Sequence, residues 1–108
     1  MDIPLSDDTK DDFYLTTLNK HLSALINGIN PEFIFYLAGV DVLASDKLGR
    51  IGLSKAACKQ RDKIVFDHCK KFGIPVGVSM GGGYSPHLKD IVDAHCNTFV
   101  AAFECYEN

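Results

Sequence analysis

The chain has 108 residues, the size of one small domain, and its 46% hydrophobic and 23% charged content excludes a disordered tail or a collagen-like fibre. Eleven Lys and Arg against 14 Asp and Glu give a formal charge of -3, so there is no basic surface for duplex nucleic acid. No window approaches the roughly 18 uncharged apolar residues of a membrane span. The acidic start, Met1 to Asp8, lacks the apolar stretch of a secretory signal. Cys58, Cys69, Cys96 and Cys105 never form C-x-x-C. The expectation is reduced core thiols in a cytoplasmic protein. No repeat or linker interrupts the chain, so residues 1–108 read as one unit.

Ile3-Pro4-Leu5 offers at most a short extended edge, limited by its proline. Acidic residues from Asp7 to Asp12 suit a helix start, and Leu15, Leu18, Leu22, Leu25 and Ile26 follow at helical spacing. Gly28 stands where a cap belongs, which predicts a first helix over 10–27. Residues 33–38 form an apolar run without alternation, the pattern of a parallel strand buried on both faces. A long segment over 39–53 comes next, and ordered loops of that length after strands are commonly functional. Ser54 caps a second helix reaching about residue 72, with Cys58, Arg61, Asp62, Val65, Cys69 and Phe72 on one face and Gly73 closing it. A short strand over 74–80 leads into three glycines and Tyr84. Ser85 and Pro86 then open a third helix, capped by Ser, with an apolar stripe of Val92, Cys96, Phe99 and Phe103. The order is α-β-α-β-α with a parallel crossover, an α/β pattern. Two buried-type strands do not close a core, so the architecture reads as a slice of a larger doubly covered sheet.

In open parallel sheets, ligands bind at the carboxyl ends of the strands, where both unusual loops lie. Asp41 is an acid two residues past a buried strand, either partnered by a cation or pinning its own loop. Asp46, beside Ser45 and Gly49, reads as loop structure. The glycines before Tyr84 leave three readings open: a hydroxyl aimed at a developing oxyanion, a tyrosine that packs at a turn, or amides that bind an anion at a helix start. His21 and His68 fall on helical faces, and His87 in the first turn of the third helix. Asp93-Ala94-His95 is a chance match to a metal pair, because positions i and i+2 of a helix point apart. No Cys/His spacing fits a closed structural zinc site.

Taken together, Phe35-Tyr36-Leu37-Ala38-Gly39-Val40-Asp41, Asp46-Lys47-Leu48-Gly49-Arg50 and Gly81-Gly82-Gly83-Tyr84-Ser85 resemble the zinc-dependent histone deacetylase superfamily, which includes acetoin-utilisation proteins and acetylpolyamine amidohydrolases. The similarity spans nearly the whole chain and implies part of a three-layer α/β/α parallel-sheet, arginase-like fold. It implies that Asp41 is the second zinc-binding aspartate, that Tyr84 polarises the amide carbonyl, and that Leu48, Gly82 and Gly83 line the acyl tunnel. In such sites a metal ion supplies a nucleophilic water and polarises the carbonyl. The implied substrate is an acetylated lysine or polyamine.

The family's adjacent His-His pair does not occur in these 108 residues, and neither does its D-x-H on a strand. Catalytic zinc needs about three protein ligands. The expectation is therefore the C-terminal portion of a deacetylase domain, binding no zinc stably and inactive alone. The alternative is a non-catalytic interaction module that keeps the fold and pairs through open sheet edges, with another copy or with an N-terminal portion. A small anion-binding domain ranks behind both, since no Lys follows the glycines as in a P-loop.

Overall fold

Two carboxylates open the first helix, α1 (Asp11–Ile29), where they oppose the positive end of the dipole. The computed structural model describes residues 3–44, 51–81 and 87–107. The helix runs past Gly28 and is capped by Asn30 in the left-handed conformation at φ 52°, whose amide donates to the Ile26 carbonyl at 2.8 Å. Asparagine tolerates that conformation better than most residues with a Cβ, and Pro31 follows it, so the helix ends two residues after the expected 27.

The second helix, α2 (Lys55–Lys71), starts as expected: Ser54 Oγ accepts the Ala57 amide at 3.0 Å. The Ser54 amide and hydroxyl donate in turn to Asp11 at 2.9 and 2.7 Å, tying the starts of α1 and α2 together. Basic residues fill the last turn, and Gly73 at φ +67° ends it. Strands β1 (Ile34–Gly39) and β2 (Val76–Gly81) pair in parallel, with Ile34 opposite Val76 and Gly39 opposite Gly81. Both strands begin later than the sequence predicts and end one residue later. The third helix, α3 (Leu88–Tyr106), has His87 at its cap position, and the His87 side chain makes no capping bond to the helix. Ser85 and Pro86, expected to open it, lie outside the described residues.

Three packing expectations are corrected. β1 is not covered on both faces: Tyr36 and Ala38 face α2, whereas Phe35 and Leu37 are 89% and 71% exposed. On α3 the residues facing the core are Ala94, Thr98 and Ala101, while Val92, Cys96, Phe99 and Phe103 point outward. Small residues win that face because α2 lies close, joined by Lys55 to Asp90 and Asp93 and by the Tyr106 ring against Phe66. Cys58 and Cys69 are buried thiols, but Cys96 is exposed. Residues 3–5 add no strand, in keeping with Pro4. Otherwise the α/β order and the parallel crossover are as read from the sequence. No helix among the described residues is long and apolar enough to cross a membrane.

Candidate functional site at the end of the parallel strands

The segment after β1 is built around two buried anchors. Val40 and Leu43, 0% and 2% exposed, pack with Cys58 of α2 and Ala94 of α3, and Val42 and Ile91 border the cluster. Leu43 also bridges Leu53 in parallel, with the Ala44 amide donating to the Leu53 carbonyl at 2.9 Å and the Leu53 amide to Val42 at 2.9 Å. The long segment is thus clamped at its base. Asp41, between buried Val40 and half-buried Val42, is turned to solvent at the carboxyl end of the sheet. Its Oδ1 lies 3.2 Å from where a Cβ on Gly39 would stand, so glycine leaves room for the carboxylate to fold back over the strand end. A cleft of about 190 Å³ adjoins it, with Tyr14, Leu37 and Arg61 among its walls.

Beneath this strand end sits a buried polar network. Asp62, fully buried, receives the Tyr36 hydroxyl, Arg61 Nε and Nη2 at 3.1 and 2.9 Å, and the Thr98 hydroxyl at 2.5 Å. Arg61 Nη1 donates to the Gly39 carbonyl at 2.6 Å, and its guanidinium lies 5.7 Å from the Tyr36 ring centre. Burial pushes the Tyr36 phenol well up, assisted by the Asp62 carboxylate that accepts its hydrogen bond. Burial works against the charge on Arg61, yet Tyr36, Cys58 and Asp62 around it raise the guanidinium above its ordinary value. Tyr14 of α1 is likewise pushed up by burial, with Arg61 opposing. The sequence pointed at this network without identifying it: two opposite charges on the apolar face of α2 were the signal, and Tyr36 and Thr98 gave none.

Of the residues the sequence singles out, Asp41 is placed at the expected strand end. Leu48, Gly82, Gly83 and Tyr84 lie outside the described residues, as does Asp46. Gly81, paired with Gly39, brings the start of the glycine run beside the Asp41 segment. Asp93 is engaged by Lys55 at 3.2 Å and Lys89 at 2.9 Å rather than by His95. His95 Nδ1 is buried with no hydrogen-bond partner among the described residues. Those residues contain no group of three His, Cys, Asp or Glu able to hold a metal.

The histone deacetylase domain family matches residues 1–99. The chain belongs to the histone deacetylase family. It is 34% identical over 106 residues to an uncharacterised protein of Picosynechococcus sp., covering 98% of this chain and 35% of that protein. It is 34% identical over 76 residues to histone deacetylase 2 of Arabidopsis thaliana, covering 70% of this chain and 20% of the relative. Among solved structures, an HDAC homologue complexed with SAHA superimposes with a TM-score of 0.72 at 28% identity, covering 97% of this chain and 26% of that one. The α/β fold is therefore that of the family, and the chain spans about a third or less of the relatives it matches. This family is zinc-dependent. Asp41 has the donor chemistry of a metal ligand and lies just past the end of β1, but one exposed carboxylate does not make a zinc site.

Proposed function

We propose that residues 1–108 supply one side of a zinc-dependent N-acetyl amide hydrolase site, acting on acetylated lysine or an acetylated polyamine. The supporting observation is Asp41, held out by buried neighbours at the carboxyl end of β1, directly beside the strand that leads into Gly81-Gly82-Gly83-Tyr84. In this reading Asp41 is one metal ligand and Tyr84 donates its hydroxyl proton in a hydrogen bond to the amide oxygen as charge develops there. Leu48, Gly82 and Gly83 line the acyl channel. The metal, when bound, supplies an activated water. A second carboxylate, an imidazole ligand and a proton-transferring His-His pair are needed besides, and the sequence holds no such pair. The chain alone is therefore proposed to be zinc-free and inactive, and to work in the cytoplasm as part of a larger assembly. Native mass spectrometry with an acetyl-lysine peptide assay tests this. No bound zinc and no turnover are expected; zinc-dependent turnover abolished by Asp41→Ala and by Tyr84→Phe would overturn the claim that the chain is incomplete.

Exposed Phe35 and Leu37 on β1, with Phe99 and Phe103 on α3, favour a second reading. In it the chain is a non-catalytic interaction module whose apolar surfaces meet another copy or a longer relative. A strictly monomeric chain by sedimentation would count against it.

A further inference from the structure

The Arg61–Asp62 pair lies on adjacent residues of one helix, so holding α2 together does not require it. Replacing a buried ion pair with apolar residues is often neutral or stabilising, which leaves its presence to be explained by what its atoms hold. Asp62 is fixed from two other elements, by Tyr36 of β1 and Thr98 of α3. It fixes Arg61 in turn through Nε and Nη2, so the planar guanidinium has one orientation. In that orientation Nη1 meets the Gly39 carbonyl at 2.6 Å. Gly39 is the last residue of β1, and it is the residue over which the Asp41 carboxylate folds. The neighbouring ladder bond, from the Val40 amide to the Gly81 carbonyl, is long at 3.3 Å. Arg61 therefore grips the end of the strand more closely than that ladder bond does.

We propose that Arg61 is a positioning residue, fixing the Gly39–Val40–Asp41 backbone so that the Asp41 carboxylate is held at the mouth of the parallel strands. Its catalytic meaning rests on the role given to Asp41 above, but the backbone effect does not. A lysine cannot reproduce it, because one ammonium cannot grip Asp62 twice and reach the Gly39 carbonyl in a fixed plane.

The test is amide hydrogen exchange and carbonyl carbon NMR on the whole chain. Arg61→Met combined with Asp62→Asn removes the Gly39 contact and leaves no unpaired buried charge, the Asn oxygen accepting the Tyr36 hydroxyl and its amide N–H donating to the Thr98 hydroxyl. Exchange at Val40 and Leu43, whose amides donate to Gly81 and Val40 carbonyls, is expected to speed up about tenfold relative to Val65 in α2. The Gly39 carbonyl carbon signal is expected to move upfield as its charged donor is lost. Arg61→Lys is expected to show the same local loss. Thr98→Val weakens the same network without touching Gly39, so it should change all three amides in step. Unchanged Val40 and Leu43 exchange relative to Val65 in the double variant, or full retention in Arg61→Lys, overturns the proposal. None of these signals needs metal or turnover, so a failed zinc role for Asp41 and a failed positioning role for Arg61 give different results.

Discussion

Asp62→Ala is expected to be the most damaging single polar substitution in the described structure. The carboxylate is fully buried and receives Tyr36, Thr98 and two nitrogens of Arg61. Deleting it strands a guanidinium, itself only 4% exposed, with the Gly39 carbonyl as a remaining acceptor. Breaking a buried pair from one side costs about 3–5 kcal/mol. A domain of this size has a total stability of roughly 5–15 kcal/mol, so a large share is lost. With a urea m-value of about 1–3 kcal/mol/M, the midpoint should fall by roughly 1–5 M, and the variant can be unfolded outright. The Arg61→Met/Asp62→Asn variant has no stranded charge and is expected to lose about 2 kcal/mol or less, since the Asn side chain offers its oxygen to the Tyr36 hydroxyl and an amide N–H that the Thr98 hydroxyl can accept. Far-UV circular dichroism in urea reads both. A loss below about 1 kcal/mol for Asp62→Ala, or a double variant worse than the single, would refute the assignment of the pair as a coupled buried network.

Ser54→Ala should cost about 1 kcal/mol in the same urea series, because the Ala57 amide loses its cap and Asp11 loses one of its two bonds to Ser54. Two glycine substitutions should have opposite signs. Gly28→Ala, inside α1 with open space around the added Cβ, should raise stability by about 0.5–1 kcal/mol, whereas Gly73→Ala at φ +67° should lower it by about 1 kcal/mol. Alkaline pH should erode stability over two overlapping ranges. Burial raises the Cys58 and Cys69 thiols from 9.0 and the Tyr36 phenol from 10.0, so the folded state keeps protons that the unfolded chain releases. That stabilisation is complete below pH 9.0 and is lost as pH climbs beyond 9.0 and then 10.0. Melting temperature against pH checks this: Tyr36→Phe should flatten the fall beyond pH 10.0, and a curve flat through that range in the parent would contradict it.

The starts of α1 and α2 and the strand order are legible because they depend on local chemistry. Ser54 as a cap and Gly73 as a stop act within a few residues of themselves. The sequence offers Gly28 and Asn30 alike as the cap of α1, glycine being the commoner left-handed residue, and only the extra half-turn of α1 shows that Asn30 bears the turn. The apolar stripe of α3 was real in the sequence but did not reveal which way the helix faces. Packing against α2 needs small side chains, so Ala94, Thr98 and Ala101 turn inward and Phe99 and Phe103 are left outside. The same holds for Phe35 and Leu37: a buried-type strand pattern does not say that the covering layer lies within this chain. At the site, Asp41 was legible as an acid past an apolar run. The Arg61–Asp62–Tyr36–Thr98 network was not, since it joins residues up to 62 positions apart through tertiary contact alone.

The central claim is that Asp41 is one zinc ligand of a site completed by residues outside this chain. A chimera in which these 108 residues replace the matching third of the Picosynechococcus relative tests it most directly. The account predicts one zinc per chimera by native mass spectrometry, lost in Asp41→Ala while circular dichroism stays native. Zinc retained in full by a folded Asp41→Ala chimera would contradict it.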